Sequence, residues 1–283
     1  MKITKAIIPA AGRGTRLLPL SKAIPKEMMP ILDKPALQYS IEEATLAGIT
    51  EFIIIMNDDK KPYVQSYFND TPYTITFKPQ PEPLGLGHAV LMGKDNINID
   101  EYIAVMLPDD IIDSTTACLA QLITIAQHYN ASVIAVEKVN HEQTASYGII
   151  APKTYHTDSV IEIATLVEKP NPDQAPSHFG IIGRYILPYR IFNAIEAIAP
   201  HANGEIQLTD AIAYLLRHGE RVMACVIEGT RYDIGSPAGL FNATVSLGAK
   251  RELYNKIILR CAQENFIFLK ENIDNENIKN LLP

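Results

Sequence analysis

Two apolar runs constrain this chain more than any other feature. Phe52-Ile-Ile-Ile-Met56 and Ile103-Ala-Val-Met-Leu107 contain no polar residue. A strand with one face in water alternates apolar and polar side chains. Unbroken runs of this length therefore fit strands covered on both faces, as in a mostly parallel sheet with helices on either side. The remainder of the chain repeats the theme, with short β-branched segments alternating with amphipathic ones. Strands are expected at residues 5–9, 51–56, 74–77, 102–107, 132–137, 147–151, 161–168, 181–187 and 221–226. Helices are expected at 36–47, 62–68, 88–94, 116–128, 189–198, 208–217 and 237–247. In the first helix Leu37, Ile41, Ala44 and Leu46 suggest one apolar face, and Gly48 is a plausible C-terminal stop.

After residue 140 the rhythm changes: strands follow one another before helices resume, and Asn171–Pro176 reads as a proline-bearing polar loop. The expected organisation is a nucleotide-binding half over about 1–140 and a mixed half over about 141–245 that walls in a second substrate. Both share one sheet in a single domain of 1–245, followed by a helical tail at 246–283 whose Asn-rich end is expected to fray. With 283 residues, 47% apolar and 20% charged, such a chain can bury a core without disulfide or metal staples. No apolar run reaches the roughly 18 residues a membrane span needs, and no signal peptide is evident. The three cysteines, Cys118, Cys225 and Cys261, are scattered without metal-type spacing. The expectation is a reduced, cytoplasmic, soluble protein.

Charge is unevenly placed. Residues 1–26 hold six basic side chains (Lys2, Lys5, Arg13, Arg16, Lys22, Lys26) and no acid, whereas the other 257 residues carry a net −13. Overall the chain is acidic, at −7, which argues against a nucleic-acid binder. The basic residues are interleaved with Gly12 and Gly14 directly after the first expected strand. Glycines there permit backbone turns whose N–H groups converge on phosphate oxygens. The dinucleotide fingerprint would need a third glycine where Leu17 stands, and an immediate helix where Pro19, Pro25 and Pro30 intervene. The G-K-[ST] ending of a P-loop is missing too. What remains is a long cationic loop suited to a triphosphate.

The segments Pro9-Ala-Ala-Gly-Arg-Gly-Thr-Arg-Leu-Leu-Pro19 and Lys22-Ala-Ile-Pro-Lys-Glu-Met-Met-Pro30 resemble the sugar-nucleotide pyrophosphorylases, within them the bacterial UTP–glucose-1-phosphate uridylyltransferases. Further resemblance lies in Gln80-Pro-Glu-Pro-Leu-Gly-Leu-Gly-His88, Leu107-Pro-Asp109, Tyr147-Gly148, Val167-Glu-Lys-Pro170, Gly183-Arg-Tyr185, Gly204-Glu-Ile-Gln-Leu-Thr-Asp210 and Tyr232-Asp233. Together they span about residues 5 to 240. The resemblance implies a Rossmann-like α/β nucleotidyltransferase fold with a mostly parallel mixed sheet and a mixed β sugar-binding half. It implies attack by glucose 1-phosphate on the α-phosphate of UTP, with magnesium as cofactor. By the same resemblance Gly12, Gly14 and Thr15 cradle the triphosphate, and Arg16 and Lys26 neutralise charge at the α-phosphate and leaving group. Ala10, Ala11, Gln80 and Gly85 meet the base. Gly148, Glu168, Lys169 and Glu205 hold the sugar phosphate, while Asp109 and Asp233 bind the metal. Asp110 and Asp113 are rivals to Asp109. His88 is read as structural, and Arg13 and Lys22 are given no firm role.

Only eleven residues separate Phe68 from Gln80, where the uridylyltransferases carry a longer charged helical segment. This short link resembles the dTTP–glucose-1-phosphate thymidylyltransferases instead, so dTTP or another hexose 1-phosphate is the alternative within the same chemistry. The expected partners are the two small substrates and further copies of the chain, as dimer or tetramer, with no nucleic acid or membrane. A non-catalytic nucleotide-sugar sensor and a dehydrogenase are the readings from other classes. Retention of Arg16, Lys26, Asp109, Lys169 and Asp233 speaks against the first, and the absent third glycine against the second.

Overall fold

The computed structural model describes residues 1–272, with side chains to residue 264. The strands, in chain order, are β1 (Lys5–Pro9), β2 (Pro30–Ile31), β3 (Lys34–Pro35), β4 (Glu51–Met56), β5 (Thr74–Pro79), β6 (Tyr102–Met106), β7 (Asp110–Asp113), β8 (Ser132–Lys138), β9 (Gly148–Tyr155), β10 (Val160–Glu168), β11 (Phe179–Pro188), β12 (Val222–Val226) and β13 (Thr230–Asp233). The helices are α1 (Ala36–Leu46), α2 (Lys61–Phe68), α3 (Gly85–Leu91), α4 (Cys118–Tyr129), α5 (Arg190–Ala197), α6 (Leu208–Arg217), α7 (Pro237–Ala249) and α8 (Glu252–Asn272). The expected fraying of the Asn-rich end beyond residue 272 lies outside the described residues.

Nine strands form one sheet in the order β5-β4-β1-β6-β11-β8-β12-β10-β9. Its first four strands run parallel, as the apolar runs require. From β11 onward antiparallel pairing dominates: β11 is antiparallel to both β6 and β8, and β9–β10 is an antiparallel pair at the far edge. The sheet is thus mixed rather than mostly parallel, because the second half of the chain enters it through β11, which inserts beside β6. Alternate residues of each strand feed opposite layers. Ile7, Ile53, Ile55, Ile103 and Val105 face the layer that includes α3, α5 and α6, while Ala6, Ile8, Phe52, Ile54 and Met106 face the layer holding α1 and α4. This is the period-2 pattern of a strand covered twice.

The helices follow from local chemistry. α1 stops where expected, with Gly48 at φ +91° and the Ile49 N–H returning to the Ala44 carbonyl. Of its expected face, Leu37, Ile41 and Ala44 are buried, but Leu46 is 80% exposed. Two residues past Ala44 is 200° around a helix, so Leu46 leaves the stripe and Ser40 and Glu43 occupy it instead. α3 begins three residues earlier than expected, at Gly85. α7 starts at Pro237, with the Ser236 side chain accepting from the Gly239 N–H. No described helix is long and apolar enough to cross a membrane.

Two short ribbons were not expected. β2 and β3 form one, and β7 and β13 form the other, with Asp233 opposite Asp110. The second ribbon packs with α7 over a small separate core of Ile111, Tyr232, Ile234 and Ala243.

Candidate active site

The site is built at the carboxyl ends of the parallel strands, where open α/β sheets leave a crevice. The Ala10 N–H still bonds to the Ile55 carbonyl at 2.6 Å, continuing the β1–β4 pairing, so the free turn begins only at Ala11. Gly14, at φ +64°, takes the left-handed conformation that starts a short turn over Thr15–Leu17. Lys26 runs beneath this turn. A Cβ on Gly12 would stand 3.3 Å from Lys26 Cε and 3.4 Å from its Nζ, so the glycine makes room for the lysine. Lys26 Nζ then donates to Asp109 Oδ2 at 2.7 Å, three residues beyond the end of β6.

This pair keeps its charges. Burial pushes the Lys26 ammonium down, but the Asp109 and Glu27 carboxylates outweigh it and the net shift is upward. Burial likewise pushes Asp109 up, and the charge and hydrogen bond of Lys26 bring it below the usual carboxylate range.

The two rivals of Asp109 are otherwise engaged. Asp110 Oδ2 accepts the Gly183 N–H at 2.8 Å, and its Oδ1 accepts from Arg231 at 2.7 Å. Asp113 is ion-paired with Lys250. Beneath them lies a buried pair: Arg184, fully buried, bonds both oxygens of Glu43 and also donates to the carbonyls of Leu107 and Asp110. Arg184 therefore pins the backbone on both sides of Asp109. Glu43 additionally accepts the Leu119 N–H in the first turn of α4, a favourable place for an anion.

The β7–β13 ribbon joins the two aspartates across 124 residues of sequence. The Ile234 N–H bonds to the Asp109 carbonyl at 2.9 Å. Arg16 NH1 lies 3.7 Å from Asp233 Oδ2, whose partner Oδ1 accepts the Gly235 N–H. Both carboxylates line one cavity.

Two cavities adjoin here. The first, about 530 Å³, is lined among others by Ala11, Gly12, Thr15, Lys26, Gln80, Gly85 and Asp109. The second, about 330 Å³, is lined among others by Arg16, Asp109, Gly148, Glu168, Lys169 and Asp233. Leu86, Leu107 and Asp109 belong to both. Glu205 lies on the first cavity rather than the second, with its carboxylate accepting from Gln207. Ala10 and Gly14 line neither; one continues the strand and the other shapes the turn.

Gly85 has φ +93°, and a Cβ there would come within 2.7 Å of the Ile206 carbonyl, so segment 84–87 can bond edge to edge with Ile206. Lys169 has φ +44°, a conformation uncommon for a side chain longer than Asn, and its N–H is held by the Tyr147 carbonyl. Its ammonium lies 3.5 Å from Glu168 Oε1 and is half exposed.

Sequence reasoning gave no firm role to Arg13, which lines the first cavity, and none to Ser146, Gln207, Thr209 and Arg231, which line the second. Arg13 was visible as one of the loop cations, and Gln207 and Thr209 stood unassigned inside the Gly204–Asp210 segment; Ser146 and Arg231 carried no signal before the chain was folded. Burial pushes the Cys118 thiol well up and Cys225 to about 12, so neither is a nucleophile. Cations and carboxylates converge where the two cavities meet, and such a place can hold two phosphorylated ligands against each other.

Residues 5–250 match the family model described as nucleotidyl transferase. The chain is 42% identical over 274 residues to a UTP–glucose-1-phosphate uridylyltransferase, YngB, of Bacillus subtilis, covering 88% of this chain and 91% of that one. It is 38% identical to the UTP–glucose-1-phosphate uridylyltransferase of Streptococcus pyogenes, over 91% of this chain and 94% of that protein. Among solved structures, a UDP-glucose pyrophosphorylase complexed with UDP-glucose superposes with a TM-score of 0.82 at 37% identity, over 88% of this chain and 100% of that one.

Proposed function

The chain belongs to the nucleotidyl transferase family, and from that membership we infer that it is a UTP–glucose-1-phosphate uridylyltransferase, joining UTP to glucose 1-phosphate and releasing pyrophosphate. One observation carries the assignment of parts: two cavities, one floored by the glycine turn and one walled by Glu168 and Lys169, meet at Asp109. UTP takes the first and the sugar phosphate the second. The thymidylyl alternative is not favoured, since relatives matching about nine-tenths of the chain are named for UTP.

The chemistry asks little of an acid or base. A phosphate monoester with its second pKa near 6 is largely dianionic at neutral pH, so the nucleophile is ready. An oxygen of glucose 1-phosphate forms a bond to the α-phosphorus of UTP, the α–β bridging bond breaks, and its electron pair leaves with pyrophosphate. What opposes the step is repulsion between two anions, and catalysis is placement and charge stabilisation. Lys26 and the N–H groups of the glycine turn stabilise the nucleotide phosphates. Arg16 faces the second cavity beside Asp233, and Lys169 holds the sugar phosphate while Glu168 accepts from its hydroxyls.

Asp109 and Asp233 are hard oxygen donors on one cavity wall, and the described residues hold no cluster of three or more metal-ligating side chains. A divalent cation held by two carboxylates must complete its shell with water and phosphate oxygens, which suits magnesium. When bound there, it supplies charge neutralisation to the phosphate oxygens.

The test is pyrophosphate release. It should require UTP, glucose 1-phosphate and magnesium together; release of pyrophosphate without sugar phosphate, or none from the complete mixture, overturns the reading.

A further inference from the structure

Gln80 follows β5, and its side chain is 5% exposed at the wall of the first cavity. Its amide nitrogen is fully engaged. Nε2 lies 3.2 Å from the Gly85 carbonyl and 3.1 Å from His88 Nδ1. An amide nitrogen has two hydrogens, and a carbonyl oxygen can only accept, so the Gly85 contact fixes which end of the amide faces it. His88 Nδ1 then accepts the second hydrogen, and the ring carries its proton on Nε2. Gln80 Oε1 has no hydrogen-bond partner among the described residues. The backbone leaves no slack: the Gln80 N–H bonds to the Met56 carbonyl, and α3, which carries His88, is docked through the Gly87 N–H on the Ile206 carbonyl.

The geometry points to His88 as a specificity-determining positioning residue: by occupying the Gln80 amide nitrogen it leaves only an acceptor for the ligand, and so selects a base with a ring N–H. This rests on the reading of the first cavity as the nucleotide site. Uracil offers such an N–H at position 3. Cytosine presents a lone pair there, which would face the lone pairs of Oε1. A Gln80 free to turn over would suit cytosine equally well, giving Nε2 to the ring nitrogen and accepting the amino group on Oε1. Gly85 and His88 together hold the amide against that turn, and with His88 removed only one restraint remains.

The experiment measures dissociation constants of UTP and CTP, which share ribose and triphosphate, for the wild type and for His88→Phe, His88→Leu and His88→Asn. Binding needs no sugar phosphate. The wild type should prefer UTP. His88→Phe, which keeps the ring volume, and His88→Leu should each narrow the UTP:CTP preference about tenfold, the worth of roughly one hydrogen bond. His88→Asn, whose Oδ1 can stand where Nδ1 stood, should restore it. If either acceptor-free variant fails to fold, the other reads the same ratio. Equal weakening of both nucleotides would make His88 merely structural and overturn the inference, as would a wild type indifferent to the base. A wild type that prefers UTP but releases no pyrophosphate with glucose 1-phosphate would instead overturn the uridylyl-transfer reading and leave the inference standing.

Discussion

The cavity wall and the layer beneath it use the same residue types in opposite ways. On the wall, Lys26 meets Asp109 through one 2.7 Å contact, and Arg16 approaches Asp233 only to 3.7 Å. Beneath, Arg184 donates to both Glu43 oxygens and to the carbonyls of Leu107, Gly183 and Asp110. The lower layer is saturated, so it can only hold backbone in place. The wall is left with unspent charge, and that is what phosphates can use. A saturated buried pair adds little net stability over an apolar replacement, yet breaking one is costly because the survivor stays buried and unpaired.

The strongest way to break this contrast sets neighbouring carboxylates against each other. Asp109→Asn and Asp233→Asn should each lower turnover by about 10³-fold, roughly 4 kcal/mol of transition-state stabilisation, with little change in melting temperature. Asp110→Asn should do the reverse, destabilising the fold while the protein that remains folded still turns over. Steady-state rates beside thermal melts decide it, and equal behaviour of Asp109 and Asp110 would erase the distinction. Next in size is Arg184→Leu, expected to lose about 3–5 kcal/mol of stability because Glu43 is stranded. For a chain of this length that is a fall of roughly 10 °C in melting temperature; an unchanged melt would mean the pair holds nothing.

The contrast also explains what the sequence could and could not reveal. The wall residues sit in local motifs, Gly12-Arg-Gly-Thr-Arg16 and Leu107-Pro-Asp109, and were legible where they stood. The sheet strands were legible as well, because a doubly covered strand writes its environment into four or more consecutive residues. Glu43 reads locally as a solvated helix acid in Ile-Glu-Glu-Ala, and only folding brings it to Arg184, 141 residues away. The β7–β13 ribbon escaped for a similar reason. Its four-residue strands carry too little periodicity, and their pairing spans more than a hundred residues, yet that ribbon brings Asp233 to Asp109. Gln207 and Thr209 stood in a legible segment, Gly204–Asp210, but only folding shows that they line the second cavity.

A smaller effect separates the two cavities rather than wall from support. Lys169→Ala should raise KM for glucose 1-phosphate about tenfold and leave KM for UTP near its original value, since a half-exposed ammonium 3.5 Å from Glu168 makes a single charge contact. Initial rates with each substrate varied in turn give both constants. If KM for UTP alone moved, Lys169 would belong to the nucleotide cavity and the boundary at Asp109 would be misplaced.

The smallest expected effect is an absence of pH dependence in the wall itself. Asp109 lies below the usual carboxylate value, so its contribution is present above the unfolded value near 3.8 and is lost only as pH falls through the still lower folded one. Lys26 lies above its usual value of 10.5, so its contribution persists below that value and is lost only as pH rises past it. Between about pH 5 and 9 both groups stay charged, and the pair cannot shape the rate profile. With that pair silent, the acid limb expected in kcat/KM for glucose 1-phosphate is the substrate's own, whose second ionisation lies near 6. Replacing glucose 1-phosphate by an analogue whose phosphonate ionises at a different pH should move that limb by the same amount. A limb that stays fixed across the two substrates would return the titration to the protein, where burial raises the neighbouring Glu27 and Asp110 carboxyls, and would refute the substrate as its source.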